Sequence, residues 1–391
     1  MKIIRHMVGQ GAQRGLTLVE LLIALALSLV VLVGLSSVYV AVKQSFRFQE
    51  TTGRLQEDGA FALDFIAKDL RMAGYAGCPG INKITVGGVT TYYPGSMMTS
   101  GSPGGINGPN PLAQIETGNA EVILQPLTSL NFIRGFDNVP SGMFASGAAP
   151  SSSGTHSLFF SGGSSNAVSL SALMGSATAS PTLTGDPFGW ATTTTNSGIY
   201  DFIISNCSSS SVFKGKVSIS SGVTSVGHGT GLGNAADTFT SSTAFGTDAT
   251  VMPVVWSFFY VAPGVGTTTP SLYRVFYNGN TRLAAEELVS NVESMRLQYG
   301  ENTTLDASGA PTLVADVWRT SAADVADWSK VVAVRIGLMM ISSEENVNPG
   351  VTPVTPTLLG QSYTLPTGAS TQRLRKEFST TVVLRNRVAA R

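Results

Sequence analysis

Three features of the sequence predict an α+β chain, in which a long N-terminal helix is followed by a large antiparallel β-rich domain. Leu16–Val42 runs for 27 residues with a single charge, Glu20. Lys43–Ala73 then repeats apolar residues near the helical period. Beyond it, short apolar runs alternate with loops rich in Gly, Ser and Thr.

The composition narrows the class further. The 391 residues are 43% hydrophobic and only 12% charged, with 24 basic and 24 acidic side chains. A disordered chain is short of apolar residues and rich in charge, and this one is the reverse. A nucleic-acid binder would carry a basic excess, so no nucleic acid is expected as a partner of this chain alone. Two cysteines exclude a disulfide-dense miniprotein and a Cys-rich zinc site. The charge is also uneven, with only eleven charged residues from Gly80 to Val254.

The apolar run comes first. As a helix it is roughly 40 Å long, enough to cross a hydrocarbon core of about 30 Å. Lys2, Arg5 and Arg14 precede it without an acid, which places the N-terminus in the cytoplasm and the remainder outside. An ordinary secretory signal has a shorter apolar stretch and a small-residue cleavage site after it, and neither is present. A plain signal anchor fits the length but leaves Glu20 unexplained. A carboxylate within the apolar zone costs a few kcal/mol and marks a candidate functional site. The competing reading puts Glu20 near enough to the interface to reach headgroups.

The second stretch is amphipathic. Leu55, Ala62, Ile66 and Ala73 form an apolar stripe with Phe65 and Leu70 beside it, and Glu57, Asp58, Asp64, Lys68, Asp69 and Arg71 form a wet face. Gly74 suits the position after the helix end. Gly53 and Gly59 weaken the middle and suggest a bend. A continuous helix over Leu16–Ala73 would be roughly 87 Å long.

The string Arg14-Gly15-Leu16-Thr17-Leu18-Val19-Glu20-Leu21-Leu22-Ile23-Ala24 resembles the cleavage and methylation motif of type IV prepilins. The resemblance implies that a prepilin peptidase cuts after Gly15 and N-methylates Leu16, where many members have Phe. Glu20 then becomes the fifth mature residue. Pairing Glu20 of one subunit with the Leu16 amine of a neighbour would relieve both desolvation costs. The stretch from Arg54 to Cys78 is similar to the helix end of PilW-type minor pilins. So are Glu287–Glu293 leading to Tyr299-Gly300, Val332–Ile336, and Leu384-Arg385-Asn386-Arg387. The chain then divides into a prepilin leader (1–15), a transmembrane and filament-core helix half (16–42), an amphipathic helix half (43–77) and a β-rich extracytoplasmic domain (78–391). That domain splits into sub-parts at 78–250 and 251–391. Loss of the leader leaves 21 bases against 24 acids.

In the domain, strands are expected at Glu121–Leu127, Ser157–Phe160, Ala167–Leu173, Tyr200–Ser205 and Ser211–Ile219. Val251–Ala262 and Ser271–Tyr277 read as a hairpin whose first strand is apolar on both faces. Ala284–Ser294 reads as a short helix. Met295–Tyr299, Val331–Ser342 and Phe378–Arg385 read as strands. Cys78 and Cys207 either pair, as two cysteines in an oxidising compartment usually do, or stay as separate thiols. The basic segments Arg373–Lys376 and Arg385–Arg391 read as solvated or subunit-facing surface.

Little in the chain points to catalysis. No G-x-S-x-G or Walker A string occurs, and Gly227–Gly233 fails the G-x-G-x-x-G spacing. After loss of His6 only His156 and His228 remain, without a metal-ligand pattern. Glu301–Asp306 and Asp324–Asp327 offer oxygen donors for calcium but do not fit an EF-hand loop. The expectation is a non-enzymatic minor pilin without cofactors. Its partners would be prepilin peptidase, other minor pilins and the major pilin, the last two through the N-terminal helix. It would sit in the inner membrane with a cytoplasmic N-terminus before joining an extracellular pilus. There it would prime assembly, occupy the tip, and support adhesion, motility or DNA uptake. The rivals are a minor pseudopilin of a type II secretion system and a membrane-anchored extracytoplasmic enzyme or binding domain.

Overall fold

The computed structural model describes residues 17–75, 77, 81–86, 89–94, 132–139, 154–189, 199–206, 210–232, 234, 237–239, 245–267, 269–278, 281–282, 284–304, 312, 314–347, 356–366 and 368–388. A single helix, α1 (Leu18–Leu70), takes up 53 residues at the N-terminal side. At 1.5 Å per residue it is roughly 80 Å long. The strands are β1 (Ile81–Val86), β2 (Val89–Pro94), β3 (Ile133–Phe136), β4 (Ser157–Gly163), β5 (Val168–Ser169), β6 (Thr182–Thr184), β7 (Ile199–Ser205), β8 (Ser210–Ser220), β9 (Val223–His228), β10 (Thr250–Pro263), β11 (Pro270–Asn278), β12 (Thr281–Arg282), β13 (Glu286–Ser290), β14 (Val292–Glu301), β15 (Val317–Arg319), β16 (Val331–Glu345), β17 (Thr357–Leu358), β18 (Gln361–Ser362) and β19 (Arg373–Val383). A last helical turn, α2, covers Arg385–Val388.

Two antiparallel sheets hold most of these strands. The helix-bearing sheet has the order β15-β14-β16-β19. The larger sheet runs β12-β11-β10-β7-β8-β9-β6, with β13 on β11, β3 on β4, and β4 and β5 on β10. β10 is its backbone: residues 250–253 pair with β7, and residues from 254 onward pair with β4 and β11. Strand β10 carries Trp256, Phe258 and Tyr260 toward one core and Phe259 and Val261 toward another. Its double apolar pattern thus matches a central strand covered on both faces.

The buried stripe of α1 is Leu55, Gly59, Ala62, Leu63, Ile66, Ala67 and Leu70. It enters a core shared by both sheets, with Leu297, Ile336, Leu338 and Val382 from one and Phe160, Phe259 and Leu272 from the other. Ile66 and Leu70 are fully buried, and each such side chain contributes about 1.5–3 kcal/mol. A separate core, with Leu183, Phe202, Phe213, Val226 and Phe245 among its members, lies inside the part of the larger sheet built from β5 to β9.

Several expectations need correction. Ala284–Ser294 is not a helix: Glu286–Ser290 and Val292–Glu301 are strands in different sheets. Between them Asn291 turns the chain at φ +64°, a left-handed value that Asn tolerates better than most residues. Ala167–Leu173 keeps only a two-residue strand, Val168–Ser169. The strand expected at Phe378–Arg385 begins earlier, at Arg373, and Arg385 opens α2. Glu121–Leu127 lies outside the described residues. Gly59 marks no break in α1. A Cβ there would stand 2.6 Å from the Phe378 ring, so this glycine lets the helix approach β19 closely.

Candidate functional site

The first turns of α1 touch nothing. From Leu18 to Phe46 its large apolar side chains are exposed, Leu18 at 75% and Val33 at 70%. The most apolar part of α1 has a mean hydropathy of 2.8 and no buried residue. So large an apolar surface on a water-soluble monomer would be unusual. Lipid tails or neighbouring helices suit it. Two of its hydroxyls already have partners: Ser28 donates to the Ala24 carbonyl at 2.7 Å and Ser37 to the Gly34 carbonyl at 2.8 Å. Thr17 caps the helix, its hydroxyl accepting from the Glu20 amide at 3.2 Å. Glu20 lies exposed in the first turn, where a carboxylate also suits the helix dipole. Gly15 and Leu16 lie outside the described residues, as do Cys78 and Cys207.

The other end of α1 is fastened from several directions. Gly74 at φ +73° turns the chain out of the helix, and its amide donates to the Ser161 carbonyl at 2.8 Å. The Gly163 amide donates to the Tyr75 carbonyl at 2.7 Å. Arg274 of β11 reaches Asp69 at 3.2 Å and Glu286 at 2.9 Å while stacking on the Phe65 ring. Burial raises the Asp69 carboxyl pKa, and Arg274 opposes that shift. Asn386 donates from Nδ2 to the carbonyls of Arg71 at 3.1 Å and Ala73 at 3.2 Å. It thereby caps helix-end acceptors that have no intrahelical partner. Lower down, Arg47 meets Glu344 at 2.5 Å beside a polar cleft of about 390 Å³ lined by Glu50, Arg54, Asp58 and Asn291. That mixed-charge lining is unlike the mainly apolar pockets that hold small ligands.

Among the described residues, the buried charges of the domain have partners. Arg375 makes a bidentate pair with Glu293, both contacts at 2.8 Å, and Tyr363 donates to the same carboxylate at 3.1 Å. The Tyr363 hydroxyl pKa is raised by burial first and by Glu293 second. Arg373 donates to the carbonyls of Ser342 and Ser343. Arg373 and Arg375 are therefore structural pins, which corrects, for these two residues, the solvated alternative in the reading of Arg373–Lys376 as solvated or subunit-facing surface. In the larger sheet, Lys214 meets Asp201 at 2.9 Å, each side chain 2% exposed. Asn234 holds the Lys214 main chain from both sides, at 2.7 and 2.8 Å. Burial raises the Asp201 carboxyl pKa against the pull of Lys214.

The glycine-rich stretch after β9 has its own anion. The Thr230 amide donates to Asp237 Oδ1 at 2.5 Å, which leaves that amide no role in holding phosphate. Glu301 is buried against Arg319 at 2.6 Å, so it is committed to an ion pair. Asp306 lies outside the described residues. Among the described residues no three His, Cys, Asp or Glu side chains gather as a metal site.

An apolar helix left bare for half its length and packed on an antiparallel sheet for the other half defines a pilin-like subunit. The family described as Type IV Pilus-assembly protein W matches residues 258–386, and the prokaryotic N-terminal methylation motif matches residues 11–36. Over those residues the chain matches a type IV pilus-related, PilW-type pilin with a prepilin-type motif. No curated protein and no solved structure gives a significant match. The PilW match begins within β10 and ends at Asn386. It thus contains Arg274, the Glu293–Arg375 pair and the residue that caps α1. Sequence reasoning placed Asn386 in a PilW-like segment but not at the helix end, because its partners lie more than 300 positions away.

Proposed function

We propose that this protein is a minor pilin that helps prime type IV pilus assembly and sits at or near the pilus tip, serving adhesion, motility or DNA uptake through the polymer. Before assembly, the apolar half of α1 holds it in the inner membrane with the N-terminus in the cytoplasm. Prepilin peptidase cuts between Gly15 and Leu16 and methylates Leu16. The mature helix then packs among those of other minor pilins and the major pilin. In that bundle Glu20 of one subunit pairs with the Leu16 amine of the next, which removes two unpaired charges from an apolar setting. The observation that carries the reading is the bare apolar half of α1, continuous with a half that is fixed to the domain.

A bridge between Cys78 and Cys207 belongs to the same reading. Gly77 stands close to Ser205, so close that a Cβ on Gly77 would lie 2.1 Å from the Ser205 hydroxyl. These residues are one and two positions from the cysteines. The mass of the protein recovered from sheared pili, before and after reduction, tests both points. The expected species begins at methyl-Leu16 and gains two hydrogens on reduction. Glu20→Ala is expected to insert in the membrane at wild-type level and to vanish from the sheared fraction. An uncleaved chain in a peptidase-competent cell, or normal recovery of Glu20→Ala in pili, would overturn the proposal.

A further inference from the structure

Strand β14 has two edges, and a histidine completes one of them. β16 pairs with β14 along nearly its whole length, whereas β15 takes only residues 299–301 of the other edge. Further along that second edge, the corner leading into β4 fills the gap. The His156 amide donates to the Met295 carbonyl at 2.8 Å. The Leu297 amide donates to His156 Nδ1 at 3.2 Å. Beside them the Thr155 hydroxyl reaches the Ser294 hydroxyl at 3.3 Å. β4 belongs to the larger sheet and β14 to the helix-bearing sheet, so this side chain joins the two.

The bond from Leu297 fixes the state of the ring. A nitrogen that accepts an N–H carries no proton, so the imidazole is neutral with its proton on Nε2. Two charged groups face it: Asp137, just beyond β3, and Arg296 of β14. Asp137 Oδ1 lies 4.0 Å from the same Nδ1. Its carboxylate already receives the Ala322 amide at 2.6 Å and the Ser321 hydroxyl, so the segment just beyond β3 grips the helix-bearing side at a second point.

We propose that His156 is a proton-operated latch between the two sheets: neutral, its Nδ1 holds the Leu297 amide; protonated, it drops that amide and turns toward Asp137. A proton on Nδ1 sets two N–H groups against each other at Leu297, while the cation gains an anionic partner 4.0 Å away. Burial lowers the His156 pKa below the ordinary histidine value, Asp137 opposes that shift, and Arg296 adds to it. The neutral form is therefore the one the fold favours. Its contribution is complete above the unfolded-chain value of about 6.5 and is lost as pH falls through the lower folded value.

Hydrogen exchange on the full-length protein in detergent tests the latch. Between pH 7.5 and 5 the protection of the Leu297 amide, corrected for intrinsic rates, is expected to fall at least about tenfold. That of the Ile336 amide, within β16, should hold. His156→Asn puts a carbonyl oxygen at the place of Nδ1 and cannot titrate there, so its Leu297 protection should stay level across the same range. Equal pH dependence in the two proteins would overturn the proposal, as would a level profile in the wild type. A second reading needs no variant: imidazole 15N shifts at pH 7.5 should show His156 as the Nε2–H tautomer, and an Nδ1–H tautomer or a cation would overturn it.

Discussion

The helix-bearing sheet and the β5–β9 part of the larger sheet are both antiparallel, yet they draw their cores from different distances along the chain. The first joins Leu55–Leu70 to residues as far away as Leu384. Among the described residues, the second takes its buried core from Leu170 to Val251. The PilW match covers β14, β16 and β19 and stops short of β5–β9. A sheet that must fit one particular helix has little room to change, whereas a locally built core with an internal ion pair constrains only itself.

The contrast can be broken by mutation, and the largest effect is expected at Lys214. Lys214→Met strands the buried Asp201 carboxylate and should cost about 3–5 kcal/mol. Exchange should rise in β7–β9 while β14 and β16 keep their protection. Lys214→Met with Asp201→Leu should return to within about 1.5 kcal/mol of the wild type, since an apolar pair can replace a buried ion pair. Equal loss of protection in both regions would show that β5–β9 has no independence.

Ile66→Ala should have the opposite distribution. It empties a fully buried site between α1 and both sheets and should cost about 3 kcal/mol, with helix and sheet losing protection together. A smaller change is expected for Asn386→Ala, about 1 kcal/mol, because water can reach the freed carbonyls of Arg71 and Ala73. Denaturant unfolding in detergent would rank the two, and an Asn386→Ala effect as large as that of Ile66→Ala would make the cap more than a finishing contact.

The sequence was most readable where one element decides its own pattern. The stripe Leu55, Ala62, Ile66 and Ala73 is buried as its spacing requires, and β10 shows its two covered faces in seven consecutive residues. The prepilin motif was readable because it is a linear string with fixed offsets. Ala284–Ser294 failed because Leu288, Val289 and Val292 fit a helical stripe as well as two strands. What separates the readings is a left-handed turn at Asn291 and pairing with β11 and β16, neither of which is local. Arg375 failed for a related reason. Its partner Glu293 is 82 positions away, so a run of bases looked like surface. The sequence ranked His156 only as a poor metal ligand, since its role depends on one main-chain amide of a distant strand.

The cap at Asn386 also bears on the order of events at the ribosome. The amphipathic half of α1 emerges early, but β16 and β19, which cover it, follow some 260 to 310 residues later. At about 5–20 residues per second, Ile66 and Leu70 wait roughly a quarter of a minute to a minute for their partners. During that interval the apolar half of α1 can already be held in lipid. That keeps the uncovered stripe near a surface and away from other nascent chains. Under the proposed membrane anchoring, insertion would precede closure of the main core, and the anchor would double as a holding site during synthesis.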